Sequence, residues 1–358
     1  MTPTYFKGMQ ILDQLTDTRL TATEVLPGPA QLCESVPIDP EVADFVAQAR
    51  QAIEAIILGH DPRLLVVVGP CSIHDVEAGK EYGQRLAALA QELSDRLFIV
   101  MRTYFEKPRT TIGWKGLIMD PHLDQTYAIP EGFKMARSFL REILQLGLPT
   151  ATELLDPITP QYIADLVCWS AIGARTAESQ THRQLASGLS MPLGFKNSTD
   201  GSIQTAIHAI QAANHSQTFL GISKEGQASA ISTCGNASCH LVLRGGRHGP
   251  NYDEASLLKT TALLLENQLL PTMMVDCNHA NSNKDPNNQP VVLESVLKTR
   301  QSGQAHVMGV MLESNLKSGS QPFPQAKEDL EYGVSITDPC LGWEDTERVL
   351  RQAYSYLK

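Results

Sequence analysis

The sequence predicts an α/β fold, a closed (β/α)8 TIM barrel with an N-terminal extension and an inserted β-hairpin. Short apolar, β-branched runs recur along the chain, and seven of them end in a charged or sulfur-containing side chain. Strands that are buried on both faces form such continuous apolar runs. Helical apolar spacing separates the runs, and eight strand–helix units favour a barrel over an open sheet.

Residues 1–60 precede the first predicted strand. Apolar residues at helical spacing predict an amphipathic helix over about Pro40–Leu58, whereas the proline-containing segment Thr23–Ile38 is predicted to be extended or loop. The apolar face of this helix has no evident partner in a barrel. We therefore expect a homo-oligomer, either a dimer or a tetramer.

Residues 61–358 form the predicted barrel. Its expected strands are Leu64–Gly69, Leu97–Met101, Thr150–Thr152, Ala171–Ala174, Met191–Phe195, His240–Leu243, Met273–Asp276 and Val307–Leu312. Its expected helices lie near Val76–Leu93, Pro130–Leu146, Pro160–Trp169, Glu178–Leu189, Ser202–Ala213, Glu254–Gln268, Gln289–Gln301 and Glu344–Tyr356. Thr218–Ser223 and Ala228–Thr233 flank a polar turn and predict a hairpin inserted at about 217–234.

Composition limits the possible partners and the compartment. The net charge of −10 argues against nucleic acid and anionic membranes as partners. No apolar run reaches the ~18 residues that a membrane span requires, and Met1–Leu20 lacks the apolar core of a signal peptide. Seven cysteines are an odd number without a disulfide-like spacing, so we expect reduced thiols and a cytoplasmic protein.

Four residues near the predicted strand ends are candidate metal ligands: Cys71, His279, Glu313 and Asp338. The C-terminal ends of all barrel strands point to one face, and a thiolate, an imidazole and carboxylates suit Mn, Fe, Co or Zn. Each residue also has a structural explanation; Cys71 could be a small core residue and Asp338 a turn former. A structural zinc site at Cys234, Cys239 and His240 is an alternative that lacks a second ligand pair.

Six cations near the same strand ends are candidate anion ligands: Arg102, Lys107, Arg109, Arg175, Lys196 and Arg244. Arginine binds phosphate or carboxylate with a planar fork, and lysine acts as a point charge. So many cations around one mouth would repel one another unless anions fill the space. Lys196 could instead form a Schiff base with a carbonyl substrate.

Ordered motifs give the chain a resemblance to a known family. They are GPCSIHD (69–75), RTYFEKPRTT (102–111), GWKGL (113–117), GARTAESQTHR (173–183), GFKNSTDG (194–201), LRGG (243–246), DCNHANS (276–282), GVMLESN (309–315) and SITDPCLGW (335–343). Together they resemble the type I 3-deoxy-D-arabino-heptulosonate-7-phosphate (DAHP) synthases. That family condenses phosphoenolpyruvate with erythrose 4-phosphate, the entry step of the shikimate pathway.

The resemblance implies roles for the candidate residues. One divalent metal ion would be bound by Cys71, His279, Glu313 and Asp338, and phosphoenolpyruvate by Arg102, Lys107, Arg175, Lys196 and Arg244. Erythrose 4-phosphate would be bound by Arg109 and Thr110, and the catalytic group would comprise Lys107, His279 and Cys71. The chain departs from the family pattern in three places: Ser198 stands where the family has glycine, Asn278 stands where it has serine, and the segment from Arg244 to Tyr252 has one extra residue. None of the three removes a proposed ligand.

The resemblance also implies feedback inhibition by an aromatic amino acid. The N-terminal extension and the inserted hairpin would form the inhibitor pocket, lined by Pro160, Gln161, Leu185, Leu189, Ser190, Phe219, Gly221 and Ile231. Phenylalanine-sensitive relatives tend to have serine at the position of Gly221. Glycine leaves more room for a phenolic hydroxyl, so tyrosine is favoured over phenylalanine.

Three other functions are consistent with parts of the pattern. A related synthase condenses phosphoenolpyruvate with arabinose 5-phosphate, but the N-terminal extension and the Lys107-Pro108-Arg109-Thr110-Thr111 motif favour the four-carbon acceptor. A Schiff-base aldolase would use Lys196 covalently. An inactive barrel that only senses an amino acid would not need the complete set of metal ligands.

Overall fold

The computed structural model describes residues 15–357, and its central feature is a closed barrel of eight parallel strands in the order β1-β10-β9-β8-β5-β4-β3-β2. These strands are β1 Leu64–Gly69, β2 Leu97–Arg102, β3 Thr150–Glu153, β4 Trp169–Ile172, β5 Leu193–Lys196, β8 Cys239–Leu243, β9 Thr272–Asp276 and β10 His306–Glu313. Strand β1 pairs in parallel with both neighbours: Leu64 lies opposite Leu97 of β2, and Gly69 lies opposite Glu313 of β10. The predicted fold class is confirmed.

Helices follow the barrel strands and pack on the outside of the barrel. They are α3 Val76–Glu92, α4 Ile129–Gln145, α5 Pro160–Ile163, α6 Gln180–Ala186, α7 Gln204–Ala213, α8 Glu254–Glu266, α9 Gln289–Ser302 and α10 Trp343–Tyr356. At the N-terminus of several of these helices, a side chain accepts hydrogen bonds from backbone N–H groups that have no partner within the helix. Asp75 accepts from Glu77 N and Ala78 N at 3.0 Å, and Asp253 accepts from Ser256 N at 3.0 Å.

Two helices precede the barrel, α1 Pro29–Ser35 and α2 Pro40–Ile57. The expectation that Thr23–Ile38 is extended or loop is therefore wrong for α1. Pro29 occupies the first turn of α1, where its missing N–H costs nothing. The Gln31 side chain also accepts from Gly28 N at 3.0 Å, which caps this end of the helix.

Helix α2 covers the end of the barrel where the strands begin. Arg50 Nε donates to Val167 O at 3.0 Å, just before β4, and Ser238 Oγ, just before β8, donates to Glu54 Oε1 at 3.0 Å. Ile53 on the buried face of α2 is completely inaccessible to solvent. This end of the barrel is therefore closed by α2, and the expectation that the apolar face of this helix has no partner in the barrel is wrong.

The helix expected at Pro160–Trp169 is shorter than predicted. Helix α5 ends at Ile163, a 3₁₀ turn continues to Leu166, and Trp169 already pairs with Ala151 in the barrel. The predicted hairpin is present as β6 Thr218–Ile222 and β7 Ala228–Ser232, antiparallel and separate from the barrel sheet. None of the helices in the described part of the chain combines the length and hydropathy that a membrane span requires.

Candidate functional site

A ring of charged side chains lies at the C-terminal end of the barrel. Arg102, Glu153, Lys196, Asp276 and Glu313 are the last residues of β2, β3, β5, β9 and β10. All five are buried. Charged groups are rarely buried unless they are paired, so their partners define the site.

Two of the buried cations are neutralised by carboxylates of the same ring. Arg102 Nη2 lies 2.9 Å from Glu313 Oε1, and both side chains are 1% exposed. Lys196 Nζ lies 3.0 Å from Asp276 Oδ2. The carboxylates of Glu313 and Asp276 therefore neutralise two of the six predicted cations without any bound anion.

Cys71, Glu313 and Asp338 each direct one donor atom into a common space, and these atoms lie within 4.8 Å of one another. Cys71 and Glu313 are both completely buried. One sulfur and two carboxylate oxygens at this spacing fit a divalent transition metal and leave positions open for other ligands. The structure thus brings together three of the four predicted metal ligands.

His279, the fourth predicted ligand, is not part of that three-residue group. Its Nδ1 lies 2.9 Å from Asp276 Oδ2 without the alignment of a hydrogen bond. The charges of Lys107 and His279 hold the pKa of Asp338 below its ordinary value despite burial. This effect shows that His279 lies close to the three-residue group. Its backbone φ is +56°, a region that non-glycine residues seldom adopt outside constrained sites.

Lys107 lies beside the candidate metal group. Its Nζ is 3.0 Å from Cys71 Sγ and 3.3 Å from Cys71 O. Burial alone would lower the pKa of Lys107, but the negative charges of Cys71, Glu313 and Asp338 raise it. Lys107 is therefore an ammonium at neutral pH, with protons available at the centre of the site.

The Glu313 carboxylate is fixed from several directions. Asn278 Nδ2 donates to Glu313 Oε2 at 2.6 Å, while Arg102 holds Oε1. The backbone of Glu313 is held as well: Glu313 N donates to Gln289 Oε1 at 2.8 Å, and Gln289 Nε2 donates to Glu313 O at 2.9 Å. Groups that hold a metal ligand in this way fix its orientation, so Asn278 supports Glu313 even though the family pattern has serine there.

The remaining predicted anion ligands lie on the rim of the mouth. Arg109, Thr110 and Arg175 are exposed, and Arg244 is half-buried. Arg175 Nη2 donates to Thr110 Oγ1 at 3.2 Å. Burial lowers the pKa of Arg244, and the neighbouring positive charge of Arg175 lowers it further. Two guanidinium groups close enough to disfavour each other's charge are a suitable pair for a shared phosphate.

The sequence-based site omitted three buried carboxylates. Asp276 Oδ2 contacts both Lys196 and His279, and its pKa is held well below the ordinary value by these charges although burial alone would raise it. The Glu153 carboxylate occupies the space beside Gly173 that any side chain at position 173 would fill. Asp276 and Glu153 are the last residues of barrel strands, as Arg102 and Glu313 are. Their place at the end of an apolar run could therefore have identified them from the sequence.

Glu106 is the third carboxylate that the sequence-based site omitted. Its oxygens accept from Leu155 N at 3.3 Å, Asp156 N at 3.1 Å and Thr159 Oγ1 at 3.1 Å. Burial raises the pKa of Glu106 to about 8. The adjacent residue is Lys107, so Glu106 attaches the Lys107 loop to the loop that follows β3.

The geometry supports neither a structural zinc site at Cys234, Cys239 and His240 nor a Schiff base on Lys196. Cys234 is exposed whereas Cys239 is buried, and His240 is held inside the barrel, where Trp169 Nε1 donates to its Nε2 at 3.2 Å. Lys196 faces Asp276, which raises its pKa against the effect of burial. A Schiff base needs a neutral amine, and this environment favours the ammonium.

The predicted regulatory residues occupy three neighbouring elements. Pro160 and Gln161 begin α5, Leu185 lies in α6 with Leu189 and Ser190 just after it, and Phe219, Gly221 and Ile231 lie in the hairpin. The structure brings the hairpin and α6 together, because Ser187 Oγ and Thr233 Oγ1 are 2.6 Å apart. Within the hairpin, Phe219 is directly opposite Ile231.

The N-terminal segment connects the hairpin to α5. Ala30 N donates to Lys224 O at 2.7 Å, in the turn of the hairpin. Tyr162 Oη, in α5, donates to Pro27 O at 3.0 Å. The extension, the hairpin and α5 therefore form one continuous region on the side of the barrel.

Comparisons with known proteins agree over almost the whole chain. The family model described as "DAHP synthetase I family" matches residues 36–351. The Tyr-sensitive phospho-2-dehydro-3-deoxyheptonate aldolase of Salmonella typhimurium is 51% identical over 345 residues, covering 96% of this chain and 97% of that protein. The Phe-sensitive enzyme of Escherichia coli is 50% identical over 345 residues, covering 96% and 98%.

The solved structure of phospho-2-dehydro-3-deoxyheptonate aldolase from Francisella tularensis SCHU S4 is also similar. It matches with a TM-score of 0.92 and 42% sequence identity, covering 95% of this chain and 98% of that one. Tyr-sensitive and Phe-sensitive relatives match this chain almost equally well. Overall identity therefore does not discriminate between the two inhibitors.

Proposed function

The chain belongs to the DAHP synthetase I family, and we propose that it is a DAHP synthase (EC 2.5.1.54) that condenses phosphoenolpyruvate with erythrose 4-phosphate in the first step of the shikimate pathway. One observation supports this most strongly. Lys107 Nζ lies 3.0 Å from the thiol of Cys71, so a cation proposed to bind phosphoenolpyruvate adjoins a group suited to a metal ion. A condensation between two phosphorylated substrates needs both features at one mouth.

Phosphoenolpyruvate binds deeper in the mouth and erythrose 4-phosphate nearer the rim. Arg175 and Arg244 bind the phosphate of phosphoenolpyruvate, while Arg102, Lys107 and Lys196 bind its carboxylate side. Arg109 and Thr110 bind the phosphate of the sugar. The exposed positions of Arg109 and Thr110, and the burial of Arg102 and Lys196, support this division.

Cys71, Glu313 and Asp338, together with His279, would hold one divalent ion, for which Mn, Fe, Co and Zn are candidates; the donor atoms of the first three lie within 4.8 Å of one another. When bound, the ion supplies Lewis-acid polarisation of the sugar aldehyde. Metal binding requires the Cys71 thiolate, and burial together with Glu313 raises the pKa of this thiol to about 12. The Lys107 ammonium opposes that effect, so it helps the site to bind metal at neutral pH.

The protein's own groups position the reactants and move the protons. C3 of phosphoenolpyruvate attacks the aldehyde carbon and forms the new C–C bond. Water then adds at C2, and the C2–O bond breaks to release phosphate. Lys107 protonates the former aldehyde oxygen, and the two protons released by the added water pass to Lys107 and to the departing phosphate. Removing one buried cation–phosphate contact should cost roughly 2–4 kcal/mol of transition-state stabilisation.

Feedback control by tyrosine is the second part of the proposal. The inhibitor pocket lies between the start of α5, the end of α6 and the hairpin, and it is lined by Pro160, Gln161, Leu185, Leu189, Ser190, Phe219, Gly221 and Ile231. Continuity among these elements and the N-terminal segment supports the assignment. Gly221 has no side chain, and Ile231 Cγ1 lies 2.8 Å from where a Cβ at position 221 would stand, so space for the phenolic hydroxyl of tyrosine depends on both residues.

We further propose that residues 1–60 act as a regulatory and oligomerisation extension on the catalytic barrel of residues 61–358, in a cytoplasmic dimer or tetramer. Val25 in the extension and Leu220 in the hairpin are 91% and 90% exposed, and a subunit contact through the extension and the hairpin would bury both side chains. All seven cysteines are free thiols, which suits a reducing compartment. Light scattering on the purified protein measures the oligomeric state.

A coupled measurement of phosphoenolpyruvate loss and DAHP formation tests the activity. We expect turnover with erythrose 4-phosphate, at least tenfold slower turnover with arabinose 5-phosphate, and inhibition by tyrosine at lower concentrations than by phenylalanine. Preference for arabinose 5-phosphate would contradict the proposed substrate. Stronger inhibition by phenylalanine would contradict only the proposed regulation.

A further inference from the structure

The turn that carries Arg244 out of β8 is held by side-chain amides. Arg244 N donates to Asn197 Oδ1 at 2.8 Å, and Arg244 O accepts from Ala280 N at 3.2 Å. Both backbone polar groups of Arg244 are therefore fixed. The next residue, Gly245, has a φ of +69°, which glycine adopts at little cost.

Gly245 is fixed in the same way. Its N–H donates to Asn251 Oδ1 at 2.7 Å, and its carbonyl accepts from Asn197 Nδ2 at 3.0 Å. A side chain at this position would lie 2.9 Å from both Ala280 and Asn281. The backbone of residues 244 and 245 thus has no freedom to turn.

Three asparagines at the ends of three neighbouring barrel strands hold this turn. Asn251 Nδ2 donates to Asn197 Oδ1 at 3.2 Å, and Asn251 N donates to Asn281 Oδ1 at 2.8 Å. Asn281 Nδ2 in turn donates to Asp276 O at 2.9 Å and to Leu243 O at 3.3 Å. Asn197 follows β5, Asn251 lies beyond β8, and Asn281 follows β9.

We propose that Asn197, Asn251 and Asn281 form a positioning network that aims the Arg244 guanidinium at the phosphate of phosphoenolpyruvate. This inference rests on the proposed function, because it takes phosphoenolpyruvate as the ligand of Arg244. None of the three asparagines needs to touch the substrate. They reduce the number of directions that the Arg244 side chain can take, so that less conformational entropy is lost when the phosphate binds.

Asn251 is the member best suited to a test. It is only half-buried and lines an open cavity of about 340 Å³, so water can fill the space that a smaller side chain leaves. Asn197 is completely buried, and its replacement would strand several polar groups without water. A change at Asn251 therefore loosens the turn with the least damage to the fold.

Asn251→Ala should raise the KM for phosphoenolpyruvate about tenfold, the effect of losing roughly 1–2 kcal/mol of hydrogen bonding. The KM for erythrose 4-phosphate should change less than about twofold. Asn236→Ala is the matched control, because Asn236 is a buried asparagine that binds Met191 O at 3.1 Å near the start of β8. It should leave both KM values within about twofold of the wild type. Should Asn251→Ala fail to fold, Asn251→Ser provides the same comparison.

A double-mutant cycle with Arg244→Lys separates positioning from general stability. If Asn251 acts through Arg244, adding Asn251→Ala to Arg244→Lys should raise the KM for phosphoenolpyruvate by less than about threefold. Multiplicative effects of the two substitutions, or equal increases in both KM values, would overturn the proposal.

Calorimetric titration of the metal-loaded protein with phosphoenolpyruvate alone requires no turnover. It therefore tests the network independently of the second substrate. Tenfold weaker binding to Asn251→Ala than to Asn236→Ala supports the network, and equal binding overturns it. Absence of DAHP formation by the wild type would instead count against the proposed function.

Discussion

Lys107 Nζ and Cys71 Sγ lie 3.0 Å apart inside the mouth of the barrel, although the two residues are 36 positions apart in the chain. This contact links the residues proposed to bind phosphoenolpyruvate with those proposed to bind metal. The ammonium favours the thiolate form of Cys71, and the thiolate favours the charged form of Lys107. Each residue therefore favours the charged form of the other, although burial and Glu313 still raise the pKa of the Cys71 thiol to about 12.

Lys107→Met should reduce turnover about 30- to 1,000-fold, because it removes the ammonium while retaining most of the side-chain volume. The thiolate of Cys71 would also lose its neighbouring positive charge. In cobalt-substituted protein, the thiolate–cobalt absorbance should then appear at higher pH than in the wild type. Lys115→Met, at an exposed position in the same loop, is the control. An unchanged pH dependence of this absorbance would show that the contact does not stabilise the thiolate.

Lys196 should act through its charge and not as a nucleophile. Asp276 lies 3.0 Å from its amine and raises the pKa of Lys196 against the effect of burial. Lys196→Arg retains the charge but changes the shape of a buried group, so we expect turnover to fall about 100-fold. Borohydride treatment of the wild type with substrate should leave the protein mass unchanged. A substrate-sized mass increase on Lys196 would instead indicate a Schiff-base aldolase.

Gly221→Ser should relieve inhibition by tyrosine and leave uninhibited activity within about twofold of the wild type. A Cβ atom at position 221 would lie 2.8 Å from Ile231 Cγ1, so the hairpin side of the proposed pocket must shift. An inhibitor works only by binding the less active state more tightly, and the shift weakens that binding. Ser190→Phe should act similarly by filling space. Ala230→Ser, on the exposed face of the hairpin, is the control; equal loss of inhibition in this variant would exclude a specific pocket at Gly221.

Stability should depend on the ionisation of Glu106. Its folded pKa of about 8 lies above the ordinary value of 4.5 because the carboxyl group is buried. The protonated form is therefore favoured by folding, and its contribution is complete below about pH 4.5 and lost as the pH rises through 8. Glu106→Gln cannot ionise, so the wild type should lose about 4 kcal/mol relative to this variant between pH 5 and pH 9.

Urea denaturation at both pH values measures this change. Glu178→Gln, at an exposed carboxylate, should follow the wild type at both values. A constant difference between wild type and Glu106→Gln would show that Glu106 does not titrate in this range.

The sequence predicted the barrel because its strands are continuous apolar runs with chemically distinctive ends. The same pattern placed Cys71, Glu313 and Arg102 at one mouth, where the structure brings them together. It could not predict which charges pair. Arg102 and Glu313 are 211 residues apart, and their contact depends on the register that closes the barrel. Without that register, the sequence could not show that Asp276 pairs with Lys196.

Local interactions account for the other differences. Helix α1 forms in a segment with several prolines because Pro29 lies in its first turn, where proline is tolerated, and Gln31 caps it. Helix α5 stops early because Trp169 is already needed for β4. The position of His279 depends on a left-handed backbone conformation, which residue type alone does not predict.

We propose that the condensation depends on a metal ion held by Cys71, Glu313 and Asp338. The most direct measurement is DAHP formation by protein treated with a chelator, before and after addition of Mn, Co or Zn, for the wild type and Cys71→Ala. We expect the wild type to lose at least about 99% of its activity on chelation and to regain it with more than one metal, because the site selects by donor type and not by one ion. Cys71→Ala, with one ligand fewer, should not be restored by the same metal concentrations. Full activity of metal-free wild type, with the chelator still present, would contradict the claim.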